Sequence, residues 1–159
     1  MIRRQAGLSL VPRAEPAIRW RDYDRIEPGA YPAYCRWAKT YRDPGFKRWT
    51  CLLRFDVVSD DLIRALAHVA FWLNLGPGDT PHAGRRSRYF REWVRANGQP
   101  PKRKDRLSPQ VFARRMARVE IGDTAGETPY SVVRRILSWE TGPTVVTRSA
   151  SQPVKESKP

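Results

Sequence analysis

From Arg48 to Val58 the chain runs RWTCLLRFDVV, and its side chains alternate in character along the run. Trp49, Cys51, Leu53, Phe55 and Val57 fall on one side of an extended backbone, with Arg48, Thr50, Leu52, Arg54 and Asp56 on the other. A period of two fits a strand with one buried face and does not fit a helix, whose apolar positions recur every three or four residues. A lone strand leaves its backbone donors and acceptors unpaired. This stretch therefore commits the chain to a sheet, and the remaining sequence has to supply partner strands.

Glu27-Pro28-Gly29 signals a turn, and the run after it alternates Tyr31, Ala33, Cys35 and Trp37 with Pro32, Tyr34, Arg36 and Ala38. Pro32 brings no ladder donor, so this strand lies at an edge or the proline stands at its start. Arg42-Asp43-Pro44-Gly45 turns the chain towards Arg48, and the two runs are expected to pair as a hairpin. A loop of three or five residues would place the odd-numbered residues of both strands on one apolar face. Trp37, Trp49 and Phe55 are thereby assigned to the core, as are Tyr89 and Trp93 further on.

Ser59-Asp60-Asp61 reads as a turn or cap. A third strand is expected over Ala67–Leu75 after a short lead-in turn, although Leu62, Leu66 and Val69 also suit a helix. Tyr89, Phe90, Trp93 and Val94 form a helical stripe flanked by Arg88, Arg91 and Arg95, and Asn97-Gly98 ends it. Ser108-Pro109 suits the start of a short helical turn. RMARVEIGD predicts a fourth strand with Ala117, Val119 and Ile121 inward, and YSVVRRILSW a fifth with apolar residues on both faces.

Five strands with one helix between the third and fourth make a mainly β fold, and they match the small Greek-key barrel called the OB-fold. A split α+β sheet is the alternative. The expected domain spans residues 27–141, between a flexible N-terminal arm (1–26) and a disordered C-terminal tail (142–159) rich in Ser, Thr and Pro. The chain contains no apolar run of the ~18 residues that a membrane span needs. The patch Leu8–Val11 is shorter than the ~7–15 apolar residues of a secretory signal. A cytoplasmic location with no membrane partner is expected.

Thirty Lys and Arg against sixteen Asp and Glu leave a net charge of +14, which favours anionic partners. Arginine outnumbers lysine 24 to 6, a bias that a GC-rich genome can produce, but such a bias explains neither an excess of base over acid nor its clustering. Twelve basic and two acidic residues lie between Arg85 and Arg118, so that stretch alone carries +10. Arg85, Arg86 and Arg88 stand near the predicted helix start and Arg95 near its end. Lys102, Arg103, Lys104 and Arg106 occupy the loop after it, and Arg114, Arg115 and Arg118 the next element. Lys and Arg neutralise phosphates and release counterions, and Arg also forks two donors onto one phosphate. The plain alternative is a solvated basic face that confers solubility.

Unpaired bases stack on exposed rings. Tyr34 beside Arg36, and Trp72 between Phe71 and Leu73, lie opposite the core sets and are the candidate rings; a ring in such a strand is more often a core or packing residue than a base platform. Cys35 and Cys51, without C-x-x-C spacing, read as buried thiols, and no metal or other cofactor is implied. The chain has neither a G-x-x-x-x-G-K-[ST] phosphate loop nor a G-x-S-x-G elbow, and its acids are thinly spread, so no enzyme activity is expected.

The strings PGAYPAYC, KRWTCLLRFDV, VAFWLNLG and YSVVRRILSW, with the basic helix among them, resemble small bacterial and phage or mobile-element OB-fold proteins that bind single-stranded DNA. The resemblance covers about residues 27–140 and implies that Tyr34, Arg36, Arg54 and Trp72 line a binding groove. The chain departs from cellular members at its end, where SQPVKESKP replaces their acidic tail, so recruitment of replication partners is not implied. The expected function is non-enzymatic binding of single-stranded DNA, with RNA as the other nucleic acid. Two alternatives belong to other classes. One is a duplex-DNA regulator or recombination accessory using Arg88–Asn97 and Ser108–Arg118 as two helices. The other is an interaction protein for an acidic partner.

Overall fold

The structure is a computed structural model that describes residues 22–140. Most of the expected arm (1–21) and all of the expected tail lie outside the described residues. The elements are β1 (Gly29–Asp43), β2 (Arg48–Val58), β3 (Ala65–Asn74), α1 (Arg88–Asn97), a 3-10 turn at Pro109–Val111, β4 (Arg115–Asp123) and β5 (Ser131–Trp139). The five strands form one antiparallel sheet in the order β3-β2-β1-β4-β5, so the fold is mainly β with one α-helix between β3 and β4. β3 starts at Ala65, two residues before the expected position, which removes the helical reading of that stretch.

β1 is the central strand, and its fifteen residues serve two partners. Gly29–Cys35 pairs with β4 and Ala33–Asp43 with β2. Pro32 stands near the start of this inner strand, before the pairing with β2 begins at Ala33, and faces Arg118 of β4.

The β1–β2 hairpin departs from the simple alternating scheme. Its loop has four residues, 44–47, with Asp43 opposite Arg48, so that even-numbered Ala38 meets Leu53. The Asp43 carboxylate accepts from the Gly45 and Phe46 amides and holds the turn. Odd-with-odd pairing, Cys35 with Phe55 and Ala33 with Val57, holds only beyond a bulge between Cys35 and Trp37. A bulge sets two residues against one and shifts the phase of alternation. Trp37, expected in the core, is therefore turned to the opposite face and stands opposite Arg54, while Ala38 takes the core position.

On the inner face Cys51, Leu53, Phe55 and Val57 meet Val69, Phe71 and Leu73, and α1 adds Tyr89, Trp93 and Ala96 to the same cluster. Trp49 packs half-buried against it. Ser87 caps the start of α1 by accepting from the Phe90 amide, and Gly98, at φ +83°, ends it in the left-handed region. Phe112, just past the 3-10 turn, is fully buried between the rings of Tyr89 and Trp139, at centroid distances of 5.7 and 5.5 Å.

β3 and β5 are the sheet's edges, and they approach one another across the core. Free edge groups must be satisfied or covered. The residues just before β1 do part of this. Asp24 accepts from the His68 amide through its carboxylate (2.7 Å) and from the Ser131 amide through its carbonyl (3.0 Å). From the other side, Arg88 of α1 donates to the Arg134 carbonyl, and Arg95 donates to the carbonyls of Ile136 (2.9 Å) and Leu137 (2.7 Å). Arg95 also pairs with the buried Glu92 at 2.8 Å.

Burial disfavours the thiolate at both cysteines and pushes each thiol up to about 12. Both should stay unreactive towards a disulfide reagent at pH 8 in the native protein and react together in denaturant, a contrast that a thiol titration reads directly. The unfolded chain ionises its thiols near pH 9, where the folded one still holds its protons. Stability contributed by these groups is therefore intact below about pH 9 and is lost as pH rises towards about 12.

Candidate nucleic-acid interface

The registers of the two hairpins place a defined set of side chains on the outer face of β1, β2 and β3. Reading across the strands, the rungs are Tyr34–Asp56–His68, Trp37–Arg54–Ala70 and Lys39–Leu52–Trp72. Side chains of successive rungs share the face because the bulge has already absorbed the odd residue. Trp72 is 42 % exposed, and Tyr34 and Trp37 are half-buried. The Trp37 and Trp72 positions are two strand spacings apart, roughly 10 Å across the sheet.

Positive charge is interleaved with these rings. The Lys39 ammonium lies 4.9 Å from the centre of the Trp37 ring. Arg36 pairs with Asp56 at 2.8 Å, and His68 Nδ1 lies 2.7 Å from the other oxygen of that carboxylate. The one acid on these rungs is thus ion-paired with Arg36 and in hydrogen-bond contact with the His68 ring. Arg54 is half-buried, and its side chain has no hydrogen-bond or ion-pair partner among the described residues; with Tyr23, His68 and Trp72 it lines a small depression at one side of the face.

The basic residues expected to act as one stripe are divided among several places. Arg85, Lys102, Arg103 and Lys104 converge on one groove of about 610 Å³, together with Phe90, Pro100, Pro101 and Leu107. Arg103 pairs with Asp105 at 3.0 Å there. Arg88 and Arg95 bind β5 carbonyls, and Arg88 also covers the Phe71 ring at 4.6 Å. Arg115 donates to the Ala96 carbonyl at the end of α1. Arg118 reaches Asp60 at 3.9 Å on the rim of the sheet. Arg86, Arg106 and Arg114 are exposed, with side chains that have no partner among the described residues.

Strand-face residues Tyr34, Arg36, Arg54 and Trp72 are therefore brought together, whereas three of the arginines near α1 are engaged by backbone carbonyls. Sequence reasoning missed Trp37 and Lys39 as members of the face. The available signal was Ala38, a small apolar residue between a large ring and a charge, which fits a core position better than its neighbours do. Ser108–Arg118 contains a 3-10 turn and the start of β4, so the second helix required by a helix-based duplex reader is not formed there. Among the described residues, no group of three or more His, Cys, Asp or Glu side chains could hold a metal ion. No family model matches this chain, and no curated protein matches it.

Proposed function

We propose that the protein binds single-stranded nucleic acid, DNA in the first instance with RNA as the alternative, across the outer face of β1–β3, without catalysing a reaction on it. The observation that carries this reading is the β1 bulge, which sets Trp37 on the face that already holds Tyr34, Arg54 and Trp72. Unpaired bases stack on such rings for ~1–3 kcal/mol each, and this stacking is tolerant of sequence. Lys39 and Arg54 stand among the rings to meet the phosphates, while Arg36 shares its charge with Asp56, and the surrounding excess of base adds long-range attraction. The bases of a paired duplex are stacked on one another and cannot lie on such rings, which favours single strands.

The finer fold reading belongs to the same proposal. The strand order β3-β2-β1-β4-β5, with β3 approaching β5 and a helix between β3 and β4, is the order expected of an OB-like barrel left open at one seam. In such barrels the face of the second and third strands binds oligonucleotides, and the proposed face includes those two strands.

Fluorescence anisotropy with labelled single-stranded DNA, RNA and duplex probes across a salt series tests the reading. Single strands should bind best, with affinity that falls steeply as salt rises and varies little with sequence. A flat response to every probe at low salt, or a clear preference for duplex, overturns it.

A further inference from the structure

Two surface features of unlike chemistry complement each other. The first is the turn between β2 and β3, where Leu62 is 59 % and Ile63 80 % exposed. This turn is tightly organised. Leu62 N donates to the Ser59 carbonyl (2.8 Å), Ser59 N to the Arg64 carbonyl (2.9 Å), Arg64 N to Ser59 Oγ (3.0 Å) and Ile63 N to Asp61 Oδ1 (3.1 Å). Leu62 sits at φ +61°, a left-handed conformation that a branched side chain adopts at a cost. The Ser59 hydroxyl and then the Ile63 amide hold the Asp61 carboxyl below its usual range, so it is charged at neutral pH. Asp60 beside it has only the long contact to Arg118 and is exposed. In a chain of net charge +14, this turn presents two adjacent carboxylates and two exposed apolar side chains on a preorganised backbone, with the exposed Arg64 behind them.

The second feature is the groove beside α1. Phe90, Pro101 and Leu107, all half-buried, give it an apolar floor, and the exposed Arg85, Lys102, Arg103 and Lys104 give it a basic rim. The side chains of Arg85, Lys102 and Lys104 have no partner among the described residues. The tip does not line the groove of its own chain. It lies at the Val58–Ala65 end of the β2–β3 hairpin, whereas the segment that leads into the groove leaves the far end after Asn74.

We propose that the Asp60–Ile63 tip of one molecule inserts into this groove on a second copy of the chain. Leu62 and Ile63 cover Phe90 and Leu107, and Asp60 and Asp61 meet the lysines and arginines of the rim. At physiological salt the Debye length of ~8 Å confines these attractions to the contact and screens the repulsion between whole molecules. The two surfaces differ, so the contact is heterologous: every added copy leaves a free tip and a free groove, and the products are rings or open chains. The proposal does not depend on the nucleic-acid reading and is tested without nucleic acid.

The experiment is sedimentation velocity on the nuclease-treated full chain, over a concentration series at physiological salt. The wild type should form dimers and larger species as concentration rises. A tip variant, Leu62→Ser/Ile63→Ser, and a groove variant, Lys102→Glu/Lys104→Glu, should each remain monomeric alone. Mixed, they retain one intact tip and one intact groove, and should form a heterodimer that grows no further. All four side chains are exposed, and Ile63→Asp, which keeps the turn's hydrogen bonds, serves as a second tip variant should the first fail to fold. A wild type that stays monomeric throughout, a tip variant that associates like the wild type, or a mixture that stays monomeric overturns the proposal. So does a groove variant that self-associates normally while losing oligonucleotide binding, which would assign the groove to nucleic acid. Failure of oligonucleotide binding with self-association intact would instead remove only the reading of the sheet face.

Discussion

Trp37→Ala and Trp72→Ala are each expected to weaken binding of a single-stranded oligonucleotide by roughly 5- to 150-fold, from the ~1–3 kcal/mol that a base gains on an aromatic ring. The thermal midpoint should change little in either variant, because both rings stand on the outer face, away from the Phe55 and Phe71 cluster. Trp49→Ala makes the contrast. That ring packs against the core, and its Nε1 donates to the Gly78 carbonyl at 3.0 Å, so its loss should appear in stability first. Anisotropy titrations beside thermal melts separate the two outcomes. If Trp37→Ala lowers stability as a core truncation does and leaves affinity unchanged, Trp37 is a packing residue and the face loses its central ring.

The largest effect on folding is expected at Phe112, where replacement by alanine should cost ~3–5 kcal/mol. The site has no solvent exposure, and its neighbours are the large rings of Tyr89 and Trp139. Tyr89 is fixed by its hydroxyl donating to the Leu107 carbonyl at 2.6 Å, so the cavity has little freedom to collapse on that side. Urea denaturation measures the change through the midpoint, with the slope unchanged if the native state keeps its compactness. A loss below about 1 kcal/mol would show that α1 and the 3-10 turn do not pack on the sheet as described.

The fate of the basic cluster shows how one composition can serve two purposes. Arg88 and Arg95 have the spacing of a solvent-facing basic stripe, yet both guanidiniums lie against β5 and satisfy carbonyls that an edge strand would leave open. A guanidinium suits this work because it presents several donors on a long arm and keeps its charge while bonded to neutral oxygens. Charge counting therefore overstates the cations available to a phosphate chain, and Arg115, bound to the Ala96 carbonyl, adds to the overstatement.

The alternation of Arg48–Val58, the aromatic stripe of α1 and the turn signals between elements marked by themselves the run of five strands with a helix after the third that the described residues form. Those features are local, and each follows from the burial of one face of a regular backbone. What only the tertiary structure decided is which rings face outward. The bulge in β1 exists because a four-residue loop sets odd against even near the turn, while β2 and β4 together hold the first half of the strand in another phase. Reconciling two neighbours requires one extra residue, and that requirement is a property of the assembled sheet rather than of CRWAK. The same holds for the arginines. Only when β5 became an edge beside α1 was there a row of carbonyls for them to bind.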